Sequence, residues 1–311
     1  MTGVDSIRVG VLAEPYLYEW QVRALTQLKD EPGVDVPLVV TDASSGDAKA
    51  ESWNVKKRIG FDDVTTFLDV FRREKAWTFV LAARTLARVF GDDQTLWHRH
   101  SVDNVDCLSD ADHLPCEPRT HEGWNELPAD VVARVAEDCD VVVRFGFGLV
   151  RGEILTAPEH GVFSFHPADI REYRGMGPPA IFHDGRDRAG STLQRLDESI
   201  DGGEIVAYDE VSLDGCYTLW DVFDRLATVQ IRLLADGIDR VRDPTFEPWS
   251  VPDDRLGEFY ARDTRRTLSF SSRVLAKNLA GRIRRRLERG AATPERIRSK
   301  VAVRLQQLKW R

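Results

Sequence analysis

A chain of 311 residues with 42% hydrophobic and 30% charged side chains has the composition of a folded globular protein, and its length suits one large core or two modest ones. No stretch approaches the roughly 18 uninterrupted apolar residues of a membrane-spanning helix, which argues against a transmembrane class. The net charge of −8 is unevenly placed: residues 262–311 carry 16 Lys or Arg against 3 acids, a net of +13, leaving −21 on the rest.

From the N-terminus, Ile7 to Ala13 reads as a buried strand, Glu19 to Leu28 as a helix with Val22, Leu25 and Leu28 on one face, and Val34 to Val40 as a second strand. Strand, helix, strand implies a parallel sheet with right-handed crossovers. The first turn lacks GxGxxG, so a dinucleotide site has no support. The opening apolar run has no basic leader and does not read as a secretory signal, so a cytoplasmic location is expected.

Asp63 to Phe90 is one long helical pattern through Phe67, Val70, Phe71, Trp77, Val80, Leu81 and Leu86. Residues 91–126 are polar and read as a long loop with one short strand. Four scattered cysteines, Cys107, Cys116, Cys139 and Cys216, form no CxxC and read as reduced thiols. His113 and His121 lie near two of them without a usual metal-ligand spacing, so no metal is expected.

Pro128 to Asp138 reads as a helix, Asp140 to Gly146 as a central strand, Gly152 to Thr156 as a short helix and Gly161 to His166 as the next strand. Pro179 to Asp184 begins another helix. Ser191 to Leu196 and Glu204 to Val211 read as two strands joined across DESIDGG, and Leu219 to Val241 as a long helix. The body ends near Pro248, giving domains of 1–250 and 251–311. In the basic tail Leu275, Leu279, Ile283 and Leu287 recur every four residues on one face. Gly290 and Pro294 predict an interruption before a second basic helix from Glu295 to Trp310.

Residues two apart on a strand share a face, so Ser164 and His166 project together from GVFSFH at the carboxyl end of a sheet strand, where open α/β sheets hold ligands. A proline- and glycine-punctuated loop follows, and DESIDGG brings Asp197, Glu198 and Asp201 from the neighbouring hairpin. Taken singly, each is an ordinary structural feature: a strand histidine, an acidic surface turn, a buried serine. Ser164 as a nucleophile lacks the GxSxG elbow.

Ser164-Phe165-His166-Pro167, then Tyr173-Arg174-Gly175 with Pro178, Ile181-Phe182 through Gly185, Gly190-Ser191-Thr192, and Asp197 through Gly203 come in a distinctive order. Together they resemble the folate-dependent formyltransferase family, which includes glycinamide ribonucleotide formyltransferase, methionyl-tRNA formyltransferase and bacterial sugar N-formyltransferases. The resemblance is dense over residues 140–208 and architectural in the N-terminal sheet. It implies a Rossmann-like α/β fold with a mostly parallel central sheet, helices on both faces and an added basic helical tail.

It further implies transfer of a formyl group from 10-formyltetrahydrofolate to the amine of a small acceptor, an amino sugar among them. His166 would move the proton, Asp201 would orient it, and Ser164 would stand where the family carries its asparagine oxyanion donor. Phe145, Gly146, Phe147, Gly148 and Leu149, with Asp197, Gly202 and Gly203, would line the folate. Tyr173, Arg174 and Gly175 would contact substrate. The run from Arg144 to Gly148, with SFH and STLQRLDESIDGG, also resembles a group of formyltransferase-like proteins that share the serine. Two other readings stay open: a non-transferring scaffold and a formyl-folate hydrolase. Residues 262–311 suit an anionic membrane surface, nucleic acid or a second copy as partner.

Overall fold

The computed structural model describes residues 6–45, 61–89 and 94–308. Its frame is a sheet of seven main strands: β1 (Ile7–Ala13), β2 (Leu38–Asp42), β3 (Asp112–Cys116), β4 (Val141–Arg144), β5 (Val162–His166), β6 (Arg188–Arg195) and β7 (Glu204–Ser212). They lie in the order β7-β6-β5-β4-β1-β2-β3. The five from β5 to β3 are parallel, and β6 and β7 close the other edge as an antiparallel hairpin.

Alternation along these strands feeds two cores. Val141, Val143 and Phe163 face α1 (Glu19–Lys29), whereas Leu12, Val142 and Val162 face the opposite side. Each fully buried side chain of this size stabilises the fold by ~1.5–3 kcal/mol. The expected first strand, first helix and central strands are present.

Four expectations need correction. The strand expected over Val34 to Val40 is split: Val34–Asp35 pairs with β1 and β2 starts at Leu38, because Pro37 has no N–H for the ladder. The long helical pattern divides into α2 (Phe61–Glu74) and α3 (Trp77–Val89) at Lys75, whose φ of 49° cannot continue a helix. Phe67 and Phe90 lie outside the residues whose side chains are described. The supposed loop before Pro128 contains β3, the parallel edge strand, and short strands at Arg99–Ser101, Arg119–His121 and Trp124–Glu126. β3 escapes a hydropathy reading because an edge strand can be polar, here DHLPC with only Cys116 buried.

The fourth correction is in the tail. Past α4 (Ala129–Asp138), α5 (Gly177–Asp184) and α6 (Leu219–Val241), a single helix, α7, spans Leu268–Leu308. Backbone helix therefore continues through Gly290 and Pro294, at the cost of the hydrogen bond that proline cannot donate. Of the leucine stripe, Leu275 packs against the cluster of Phe270, Val274, Trp77, Met176 and Trp220, while Leu279, Ile283 and Leu287 are exposed. Gly281 sets this orientation, since a Cβ there would lie 1.7 Å from the Tyr217 carbonyl oxygen. Asn278 Oδ1 accepts the first N–H of α6, from Leu219, at 2.8 Å. Among the described residues no helix is long and apolar enough to cross a membrane.

Candidate active site

Strand order reverses between β1 and β4, so their carboxyl ends, with that of β5, open a crevice at the sheet edge. Gly146, just past β4, lies so close to β1 that a Cβ would sit 2.4 Å from the Glu14 nitrogen. The loop it begins is pinned: Asn125 Nδ2 donates to the Phe147 carbonyl at 2.7 Å, and Phe147 adopts a positive φ of 63°.

His166 ends β5 and is buried, as is Ser164. Its Nε2–H donates to the Tyr173 carbonyl at 2.9 Å, and Nδ1 lies 3.3 Å from Asp201 Oδ1. Both ring nitrogens thus face acceptors, and only the doubly protonated ring has a proton for each. The hydroxyls of the Gly190-Ser191-Thr192 motif hold the turn after the histidine. Ser191 Oγ donates to the His166 carbonyl at 3.1 Å, and Thr192 Oγ1 to that of Ala168 at 2.9 Å. Gln230 Nε2, from α6, supports Ser191 at 3.1 Å.

Asp201 sits on the β6–β7 turn with φ of 50°, a left-handed conformation that aspartate tolerates better than most residues. Its Oδ2 accepts the Gly175 N–H at 2.7 Å, and its Oδ1 accepts from Gln194 Nε2 at 3.4 Å. Burial alone would raise this carboxyl, but the hydrogen bond and charge of His166, with Gly175 and Gln194, outweigh it and hold it at about 2.

Ser164 lies between two polar neighbours on adjacent strands, Arg144 of β4 and Gln194 of β6. Arg144 Nη2 donates to Ser164 Oγ at 2.7 Å, while its Nη1 donates to the carbonyls of Gly146 and Gly148. Burial pulls the guanidinium below its ordinary pKa, against the pull of the Asp201 charge. Arg144 Nε and Gln194 Oε1 are buried without a protein partner. The Trp20 ring N–H is likewise unpartnered.

On the α1 side of the sheet lies a cavity of about 180 Å³ lined by Trp20, Trp97, Phe145, Phe165 and Phe223, with Arg144 and Ser164 at its border but neither His166 nor Asp201 in its lining. Phe145 and Phe165 stack at 6.0 Å, and Trp20 meets both edge-on. The enclosure is below the ~300–1,000 Å³ of a drug-sized pocket, so it suits a small group.

His166, Asp201 and Ser164 are thus brought together. Gly175 joins them through its N–H, whereas the Tyr173 hydroxyl is engaged by Asp184 and Arg186, and Arg174 Nε donates to the Gly257 carbonyl. Phe145 lines the cavity; Phe147 is fully buried in the opposite core, and Gly148 and Leu149 are exposed. Asp197 is exposed and accepts from Ser199 within its own turn at 2.8 Å. Gly203 makes a close approach, a Cβ there falling 2.1 Å from the Arg195 carbonyl oxygen, and Gly202 is partly buried beside Ser199. Arg144, Gln194 and Trp20 were not anticipated as site residues. A charged residue closing the run VVVR was the available signal for the first. Among the described residues no group of three or more His, Cys, Asp or Glu could hold a metal ion.

Residues 105–238 match the sequence model of a family described as formyl transferase. A methionyl-tRNA formyltransferase from Lachnospira eligens is 32% identical over 119 residues, which span 37% of this chain and 38% of that relative. The chain therefore matches well under half of the relative's length. Among solved structures, an N-formyltransferase from Helicobacter canadensis in complex with folinic acid and dTDP-3-aminofucose shares the fold. Its TM-score is 0.50 at 11% identity, covering 83% of this chain and 71% of that one. A formyltetrahydrofolate deformylase from Pseudomonas syringae pv. tomato also has a TM-score of 0.50, at 15% identity over 82% of this chain and 67% of that one.

Proposed function

We propose that this chain, whose residues 105–238 match the formyl transferase family, moves a formyl group from 10-formyltetrahydrofolate to the amine of a small acceptor. The observation that carries the reading is the contact between His166 Nδ1 and Asp201 Oδ1 at 3.3 Å, beside Ser164 at the sheet edge. The acceptor nitrogen attacks the formyl carbon, and the carbonyl electron pair moves onto oxygen. The tetrahedral centre then collapses, breaking the bond to N10 with its electron pair. The amine loses one proton and N10 gains one, so a single proton must be carried across the site.

His166 is placed to hold that proton, with Asp201 as counter-ion; general acid-base help of this kind contributes ~10²–10⁴ in rate. Nδ1 is the nitrogen with the longer contact, hence the one able to exchange partners. The pinned Phe145 to Leu149 loop and the Asp197 to Gly203 turn form the walls assigned to the folate. Tyr173, Arg174 and Gly175 are assigned to the substrate side, Gly175 by fixing Asp201 and Arg174 by shaping the loop. Amino sugars are the first class to test, because the Helicobacter canadensis protein was crystallised with one.

The test is incubation with 10-formyltetrahydrofolate and a panel of amines, including nucleotide-linked amino sugars, following formyl-acceptor product and free formate separately. Transfer is expected to one class of amine. Formate release at the same rate with and without amine would replace the transferase reading with hydrolysis, and an unchanged folate would refute both.

A further inference from the structure

We propose that Arg144 is a positioning residue for the oxyanion in this site. Its guanidinium fixes and polarises the Ser164 hydroxyl, so that the pair performs the task of a single amide donor. The inference rests on the formyl-transfer reading above.

A serine hydroxyl has one proton and two lone pairs. Arg144 Nη2 lies 2.7 Å from Ser164 Oγ, so a lone pair faces the cation and the O–H must turn away from it. No protein acceptor among the described residues takes that proton. The hydroxyl therefore holds its hydrogen for a ligand oxygen. A hydroxyl already bonded to a cation is also a stronger donor than a free one, since hydrogen bonds in a chain polarise one another. Without that contact, a serine at this position would rotate freely and donate weakly.

The cation itself lacks an ionic partner. No carboxylate lies within 4.0 Å of Arg144 among the described residues; its bonds go to the hydroxyl and to the carbonyls of Gly146 and Gly148. Its Nε is enclosed with no partner at all. Holding a largely buried cation against neutral dipoles, with the Asp201 charge beyond direct contact, is unfavourable. Negative charge developing on the formyl oxygen offsets that cost at the moment of reaction, which is how a fixed charge lowers a barrier rather than tightening ground-state binding. Arginine suits this role because it stays protonated when desolvated. In the step itself the new C–N bond forms, the carbonyl pair becomes the oxyanion, Ser164 donates a hydrogen bond to it, and no proton leaves Arg144.

A merely structural Arg144 would hold the Gly146 to Gly148 loop and nothing more. The two roles separate in single-turnover formyl transfer from 10-formyltetrahydrofolate to hydroxylamine, a surrogate amine, with 5-formyltetrahydrofolate titrated in parallel as a binding probe. Arg144→Met is expected to slow transfer by roughly 10²–10³ while folate affinity stays within about threefold. Arg144→Lys, which keeps a charge and the packing, retains an intermediate rate. Added guanidinium ion restores part of the rate in Arg144→Met and none in Ser164→Ala. The Arg144→Met/Ser164→Ala double variant loses no more than the worse single variant, because the two act as one unit.

A transfer rate in Arg144→Met within about threefold of wild type overturns the proposal, as does a double variant whose losses multiply. Loss of folate affinity in both Arg144→Met and Arg144→Lys assigns Arg144 to the loop instead and also overturns it. If the wild-type chain binds no 5-formyltetrahydrofolate, the formyl-transfer reading fails, and this proposal with it.

Discussion

The two halves of the sheet edge are built on different principles. On the loop side, His166 meets Asp201 through turns: the carboxylate arrives on a left-handed residue and is held by the Gly175 N–H. On the strand side, Arg144, Ser164 and Gln194 meet across three neighbouring strands, in register with one another. The loop half is internally satisfied, each ring nitrogen and each carboxylate oxygen having a partner. The strand half is not: two of its polar atoms are buried without one. Proton-holding groups thus come fully organised, whereas the groups assigned to the reacting oxygen keep unused hydrogen-bonding capacity for a ligand.

The largest effect that tests this contrast is on the loop side. His166→Asn, which removes the imidazole while leaving a polar side chain at the end of β5, is expected to lower formyl transfer by ~10²–10⁴ with folate affinity little changed. A matching fall in folate binding would show that the loop half shapes the pocket rather than moving the proton.

On the strand side, Gly146→Ala forces a Cβ against the Glu14 backbone and displaces the loop whose carbonyls hold Arg144. It should cost about 1–3 kcal/mol, read as a lower thermal midpoint, and slow transfer as well. Unchanged stability would mean that the two strand ends are not tightly juxtaposed.

Acid titration of wild type against Asp201→Asn isolates the contribution of Asp201. Its carboxyl lies at about 2 in the fold against an ordinary 3.8, so the unfolded chain binds the proton first. The stabilisation is complete above pH ~4 and is lost as pH falls through ~2. Asp201→Asn should therefore be less stable than wild type at neutral pH by about 2 kcal/mol and converge with it in acid. Parallel denaturation curves across that range would remove the His166–Asp201 pair from the folded state. The smallest effect is expected at Ser191→Ala, which frees the His166 carbonyl and the Gln230 amide for about 1 kcal/mol, measured by urea unfolding.

How much of this was readable from residue order follows the same division. The loop half was legible because its parts are local: His166 with its proline, the Tyr173-Arg174-Gly175 run and the Asp197 to Gly203 turn each carry a distinctive pattern. The strand half was not, because Arg144 and Ser164 are twenty positions apart and become neighbours only through parallel pairing of β4 with β5. Hydropathy identified the central strands because burial on both faces makes them continuous apolar runs, and α6 because its buried residues recur at helical spacing. It missed β3, whose polar residues suit an edge, and the break at Lys75, where backbone conformation rather than hydropathy ends the helix. In the tail, the four-residue stripe was regular but docks only through Leu275, since close approach at Gly281 outweighs the burial of leucine.

The most direct test of formyl transfer at this edge is the single-turnover decay of 10-formyltetrahydrofolate, with an amine present, on mixing with the wild-type chain and with His166→Asn. Decay well above the enzyme-free rate in the wild type, collapsing towards that rate in the variant, is the predicted result. Equal decay in both, whether fast or at the enzyme-free rate, would contradict the assignment of this site to formyl transfer.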